Sequence, residues 1–233
     1  MIWFACGTTA SRVLPFNLVF SKLLLYYITD RRQLPGIEPE RRERVLHKIE
    51  EAARSGVDFV QLREKDLSTR ELESLAGEAM MRIRESRGSK GKTRLLINSR
   101  ADVALAVGAD GVHLRSKDIS PGDVRQIWSA ANASVDPIVA VSCHTDAEVV
   151  AAEKAGADFV VFGPTFAKRG VPEMLAGLEL LGAVCRHRIP VLALGGVGLE
   201  NARLCTQAGA KGVAGIRLFQ EGNLRANISK LRS

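Results

Sequence analysis

Cations, amides and one carboxylate recur in this chain just after short apolar runs, which is where a ligand-binding mouth collects its groups if those runs are parallel strands. VDFVQL contains Gln61 and is followed by Arg63, Glu64 and Lys65; RLLIN closes on Asn98 and is followed by Ser99 and Arg100. GVHLR carries His113 and Arg115 with Asp118 beyond it, and VAVSCH ends on Ser142, Cys143 and His144. Thr165, Lys168 and Arg169 come after FVVFGP, Gly195 and Gly196 stop the run PVLALGGV, and GVAGIRLF brings Ile216 and Arg217. Charged donors bind phosphate oxygens strongly, and a glycine without a Cβ lets backbone N–H groups approach an anion. The chemistry this collection suits is the handling of one or more phosphates.

Each residue also has a plainer use. Gly195 and Gly196 could only turn the chain, and Asp118 could bind a cation or cap the helix opened by Pro121. Arg63 and Lys65 could face a ligand or pair with Glu64 and Asp66. His113 alternates with Val112 and Leu114 and reads as a packed histidine rather than a catalyst. His144 ends its run and is the better proton carrier, because an imidazole titrates near neutrality. Cys143 reads as a small buried residue rather than a nucleophile.

The elements that must position these groups are legible from alternation. Apolar runs at 23–29, 57–63, 95–98, 112–115, 138–144, 159–164, 191–196 and 213–218 are separated by helical segments, which predicts eight parallel strands closed into a barrel. SGVDFVQLR, VGADGVHLR, AGADFVVFG and AGAKGVAGI repeat one pattern, with glycines at 56, 108, 156 and 209 spaced by 52, 48 and 53 residues. One βαβα unit therefore recurs four times, each glycine ending a helix in a left-handed cap. Ser68 with Glu71 has capping-box form. RGSKGKT at 87–93 reads as a surface loop, since it lacks the GxxxxGK[ST] spacing.

The length of 233 residues suits one such barrel, and we divide the chain into an N-terminal extension, 1–22, read as poorly ordered, and a single α/β (β/α)8 TIM barrel, 23–233. The net charge of +7 favours acidic partners, while 5% aromatic residues and the lack of a long basic run argue against nucleic acid. MIWFAC is too short to span a membrane. The scattered Cys6, Cys143, Cys185 and Cys205 have no metal spacing and fit free thiols in a cytoplasmic protein. A homo-oligomer is compatible with this reading, and the sequence does not set the copy number.

From about Leu25 to Phe219 the chain resembles the thiamine phosphate synthase and TenI family, on YYITD, VQLREKDLS, LLIN followed by Arg100, GADGVHL with its following Asp118, VSCHT, GADFVVFGPTF, PVLALGGV and AGAKGVA. The resemblance implies a (β/α)8 barrel in thiamine biosynthesis that acts on phosphorylated pyrimidine and thiazole molecules. In the synthase branch an aminopyrimidine diphosphate loses pyrophosphate with Mg2+, and the thiazole nitrogen captures the carbocation. Carried onto this chain, Gln61, Arg63, Lys65 and Asn98 would hold diphosphate and pyrimidine, Asp118 would bind Mg2+, and Ser142 would face the pyrimidine. Gly195 and Gly196, with Ile216 and Arg217, would take the thiazole phosphate, and Lys168 would stand for the lysine of the loop after strand six. Three departures stand out: Ser99 replaces a second magnesium carboxylate, the loop FAKRG is short, and Arg217 replaces a serine. The TenI alternative is a thiazole tautomerase in which His144 moves a proton; a third alternative is a barrel that only binds these phosphates.

Overall fold

The computed structural model describes residues 22–86, 93–166 and 174–233. Eight parallel strands close a barrel in sequence order: β1 (Leu24–Ile28), β2 (Phe59–Leu62), β3 (Arg94–Asn98), β4 (Gly111–Arg115), β5 (Ile138–Cys143), β6 (Phe159–Phe162), β7 (Val191–Ala193) and β8 (Gly212–Gly215), with β8 returning to pair with β1. Around them run α1 (Glu38–Ser55), α2 (Thr69–Glu85), α3 (Ala101–Ala106), α4 (Pro121–Ala130), α5 (Asp146–Lys154), α6 (Met174–Val184), α7 (Ala202–Gln207), α8 (Arg217–Gln220) and α9 (Leu224–Arg232). The predicted barrel is the observed one. The predicted extension lies outside the described residues except for Lys22, and so do Lys168, Arg169 and residues 87–92.

Side chains alternate across each strand, so the sheet has two apolar faces. Leu24, Tyr26, Ile28, Phe59, Leu96, Phe159, Val161 and Leu192 fill the lumen, while Leu25, Tyr27, Val60, Leu95 and Val112 pack against the helices. This parity carries His113 into the lumen, since Val112 and Leu114 on either side of it join the outer layer.

The fourfold repeat has a structural cause at the lower end of the barrel. Gly56, Gly108, Gly156 and Gly209 all have left-handed backbones, with φ of 82°, 63°, 84° and 105°. Two residues after each, the backbone N–H of Asp58, Asp110, Asp158 or Lys211 donates to the preceding odd strand, at Leu25, Leu95, Val139 or Val191. The three aspartates also accept the N–H of that same residue at 2.9, 2.9 and 2.7 Å, which joins one strand to the start of the next. Lys211 cannot, because an ammonium only donates.

Several boundaries differ from the sequence reading. Strand seven stops at Ala193, because Gly195 and Gly196 leave the extended region with φ of 94° and 64°. Strand eight stops at Gly215: Ile216 turns to φ −97°, ψ −68°, and Arg217 and Leu218 open the four-residue helix α8 instead of continuing the strand. Val57 closes the cap of α1, donating to the Ala52 carbonyl, so β2 begins later. Thr93 is not surface loop: it is buried, and its hydroxyl donates to the Val57 carbonyl at 2.6 Å. The capping box at Ser68 and Glu71 is present, and Ser120 with Asp123 and Thr145 with Glu148 form two more.

Candidate active site

On one side of the upper mouth, side chains from three strands form a hydrogen-bonded row. Gln61 donates from Nε2 to Asn98 Oδ1 at 2.8 Å, Asn98 Nδ2 donates to Ser99 Oγ at 3.2 Å, and Ser99 Oγ donates to Asp118 Oδ2 at 2.5 Å. Gln61 Oε1 is buried with no partner among the described residues. Ser99 sits at φ 58°, a left-handed backbone. Arg115 closes the row by donating from Nε and Nη2 to Asp118 Oδ1 at 3.0 and 2.8 Å and from its backbone N–H to Oδ2. Burial would raise the Asp118 pKa, but the hydrogen bonds from Arg115 and Ser99 outweigh it and hold the carboxyl below the usual range. Asp118 is not the cap of α4; Ser120 is. Among the described residues no group of three or more His, Cys, Asp and Glu side chains converges on a metal cage.

The cations after β2 are set free by a residue the sequence did not single out. Arg31, buried at 3% exposure, donates from Nη1 to Glu64 at 3.0 Å and to Asp66 at 2.8 Å, and from Nε to Glu38 at 2.5 Å. Thr29 Oγ1 donates to Glu64 at 2.6 Å and accepts the Arg63 N–H at 3.0 Å. Burial raises the Glu64 pKa, with Thr29 and Arg31 opposing it. The two acids interleaved with Arg63 and Lys65 thus belong to Arg31. Among the described residues no acidic side chain pairs with Arg63 or Lys65.

At the centre of the lumen, His113 Nδ1 lies 2.9 Å from the Tyr26 hydroxyl and its Nε2 lies 2.6 Å from Ser142 Oγ. Burial, helped by the charge of Arg63, pushes the His113 pKa down to about 3, so the ring is neutral near pH 7. Tyr26 packs edge-on against Phe59 and Phe159, with ring centroids 5.9 and 5.8 Å away. Cys143, next to Ser142, points the other way into the outer core, fully buried, where burial raises its thiol pKa to about 12 and disfavours a thiolate.

The opposite side of the mouth is backbone. Thr165 and Phe166 donate their N–H groups to the carbonyls of Leu194 and Gly195 at 2.8 and 3.0 Å, which fastens the segment after β6 to the turn after β7. A Cβ on Gly196 would stand 2.8 Å from Phe166 Cβ, so a side chain is excluded by contact as well as by φ. Asn201 braces the turn, donating to the Gly196 carbonyl at 2.9 Å and accepting the Gly198 N–H at 2.8 Å. Ile216, just past β8, packs against the lumen cluster, whereas Arg217 is exposed. His144, exposed at the end of β5, is oriented by a 2.5 Å bond from Nδ1 to the Gly163 carbonyl. A carbonyl only accepts, so Nδ1 carries a proton, and in the neutral ring Nε2 is the nitrogen with the free lone pair.

The structure therefore brings Gln61, Asn98, Ser99 and Asp118 into direct contact, seats Ser142 on His113, and carries Arg63, Lys65, His144, Gly195, Gly196 and Ile216 on the strand ends of the same mouth. Arg100 does not join them, because Asp102 holds its guanidinium at 2.6 and 2.8 Å. Tyr26 and Arg31 were given no role from the sequence, and Arg115, counted there among the mouth cations, is instead paired with Asp118. Strand parity relative to His113 was a usable signal for Tyr26; Arg31 left none, being separated from Glu64 and Asp66 by 33 and 35 residues.

A profile of the thiamine monophosphate synthase family matches residues 25–219. A protein of Aquifex aeolicus is 41% identical over 199 residues, covering 84% of this chain and 97% of its own length. A thiamine-phosphate synthase of Caldanaerobacter subterraneus is 36% identical over 210 residues, covering 89% and 91%. Among solved structures, thiamine phosphate pyrophosphorylase from Pyrococcus furiosus superposes with a TM-score of 0.73 at 30% identity, covering 91% of this chain and 95% of that one. The match over nearly the whole barrel, together with the identities, shows that this chain belongs to the thiamine monophosphate synthase family.

Proposed function

We propose that this chain is a thiamine phosphate synthase, joining an aminopyrimidine diphosphate to a thiazole phosphate with release of pyrophosphate. The observation that carries this reading is the diversion of Glu64 and Asp66 onto Arg31, which leaves Arg63 and Lys65 as cations for a diphosphate. Arg63 and Lys65 would bind its oxygens, with Gln61 and Asn98 alongside, and Ser142 would meet the pyrimidine. The pyrimidine carbon–oxygen bond breaks with its electrons passing to the departing pyrophosphate, and the thiazole nitrogen then supplies the pair for the new carbon–nitrogen bond. Fixed positive charge at the leaving group lowers the barrier, because negative charge grows there in the transition state. Gly195 and Gly196, with the backbone at Ile216 and Arg217, would hold the thiazole phosphate, and Lys168 is proposed as a further phosphate contact.

Mg2+ takes oxygen ligands and commonly one or two carboxylates completed by substrate phosphates. Asp118 with the Ser99 hydroxyl fits the smaller of those donor sets, provided Arg115 yields Oδ1. Bound there, the ion would help neutralise the departing pyrophosphate.

A second reading, thiazole tautomerase, is favoured by His144, whose Nδ1 bond to Gly163 leaves Nε2 as a proton acceptor, and by the missing carboxylate at position 99. One experiment separates the readings. The purified protein is given both phosphorylated substrates with Mg2+, and separately the thiazole phosphate in deuterated buffer. Thiamine phosphate formation that disappears in Asp118→Ala is the expected result. Metal-independent deuterium uptake that needs His144 would replace it with the tautomerase, and binding without either reaction would sink both.

A further inference from the structure

We infer that Tyr26 fixes His113 in the tautomer that turns Ser142 into a hydrogen-bond donor, so that the mouth selects a heteroaromatic ring presenting an acceptor nitrogen at that point. The Tyr26 side chain is wholly buried, and its hydroxyl has one polar partner among the described residues, His113 Nδ1 at 2.9 Å. The surrounding walls are the rings of Phe59 and Phe159. Desolvation raises the phenol pKa, so the hydroxyl keeps its proton and must donate it. If His113 carried its proton on Nδ1, the phenol oxygen could accept it but the phenol O–H would be left with no acceptor, which in a dry site is costlier than exchanging imidazole tautomers. The proton therefore sits on Nε2, and Nε2–H donates to Ser142 Oγ across 2.6 Å. Ser142 receives through a lone pair and points its own hydrogen elsewhere. It is half-buried at the end of β5, with no second partner among the described residues.

This polarity is the reverse of an activated nucleophile, in which the imidazole accepts from the serine hydroxyl. Here the histidine donates, so Ser142 is a fixed donor and not an attacking group. Tyr26 and His113 are positioning residues, acting through Ser142. The direction of the chain stands by itself; naming the ring as a pyrimidine rests on the proposed synthase reading.

Nitrogen-15 NMR of the His113 imidazole in the ligand-free protein tests the direction. A protonated Nε2 and bare Nδ1 are expected, and the opposite pattern overturns the inference. Tyr26→Phe should release the ring to a tautomer mixture; an unchanged tautomer removes Tyr26 as the fixing group. Calorimetric titration with a 4-aminopyrimidine and its two ring-carbon analogues, each lacking one ring nitrogen, tests selectivity. The unmodified protein should prefer the pyrimidine over one analogue by about tenfold, a factor in keeping with one hydrogen bond. Ser142→Ala should erase that preference, and His113→Gln, which keeps an acceptor and a donor in similar places, should retain more of it than His113→Phe. Equal binding of all three ligands by the unmodified protein overturns the selectivity. If Tyr26→Phe does not fold, the spectrum of the unmodified protein and the Ser142→Ala titration still decide. Correct polarity and selectivity without product formation would instead break the synthase reading and leave this inference standing.

Discussion

The two ends of the barrel use the same residue types for opposite purposes. At the lower end charge is consumed internally: Asp58 is met by Lys22 and Arg232, Asp110 by Arg94, and Asp158 by Arg125, each within 3.0 Å. At the upper end Arg31 takes up the acids beside Arg63 and Lys65, and those two cations have no acidic partner among the described residues. Paired charge inside a repeated strand junction serves the fold, whereas the half-buried Arg63 and the exposed Lys65, left without acidic partners among the described residues, are available to a ligand. Asp118 stands between the cases, a mouth carboxylate taken over by Arg115.

Substitutions at the two ends should therefore separate stability from turnover. The largest effect is expected for Asp158→Ala, which removes the partner of both Arg125 and the Val139 N–H from a site where the carboxylate is 8% exposed. A loss of about 3 kcal/mol in urea unfolding is expected, with kcat/KM of the remaining folded protein little changed. Arg63→Ala should do the reverse, reducing kcat/KM on the order of 100-fold, about 2.7 kcal/mol of transition-state stabilisation, at an unfolding midpoint close to that of the parent. If Arg63→Ala unfolds the protein and leaves turnover alone, the contrast between the ends is wrong.

Smaller effects probe the intermediate case. Ser99→Asp should raise Mg2+-dependent turnover severalfold, and the position accepts it, since aspartate tolerates the left-handed backbone found there. No change in the Mg2+ titration would count against the missing carboxylate as the limitation. Arg115→Ala, by freeing Asp118 Oδ1, should lower the Mg2+ concentration needed for half-maximal turnover by a smaller factor.

The lumen supplies a pH test of the same contrast. His113 is depressed from an ordinary 6.5 to about 3, so the unfolded chain binds a proton that the folded chain does not across that window. Stability is therefore lost as pH falls through it, by up to roughly 1.4 kcal/mol per pH unit. His113→Gln removes that term, and proton uptake on unfolding near pH 5 should drop by about one.

How much of this was readable depended on whether a residue's setting is local. The barrel was legible because the glycine cap and the apolar run after it recur with each unit, and the turn after β7 because Gly195 and Gly196 end an apolar run. The orientation of His113 was not, as parity alone leaves two faces until the lumen is known to be closed. Arg217 was read as a strand end because an apolar run does not reveal that Ile216 turns the chain. Arg31 was missed because its meaning lies in acids more than thirty residues away, brought near only when β1 and β2 pair.

The salt bridges at Asp58 carry one more implication. Lys22, just before β1, and Arg232, at the end of α9, both reach that single carboxylate, so the start of the first strand and the end of the last helix are neighbours beneath the barrel. In a variant cut to begin at Lys22, a short linker could join these two points, and new termini could be opened at any of the lower turns between repeats. Such a circular permutant would reorder the chain without displacing a group at the mouth, making the repeat unit, rather than the order of the polypeptide, the indivisible part of this molecule.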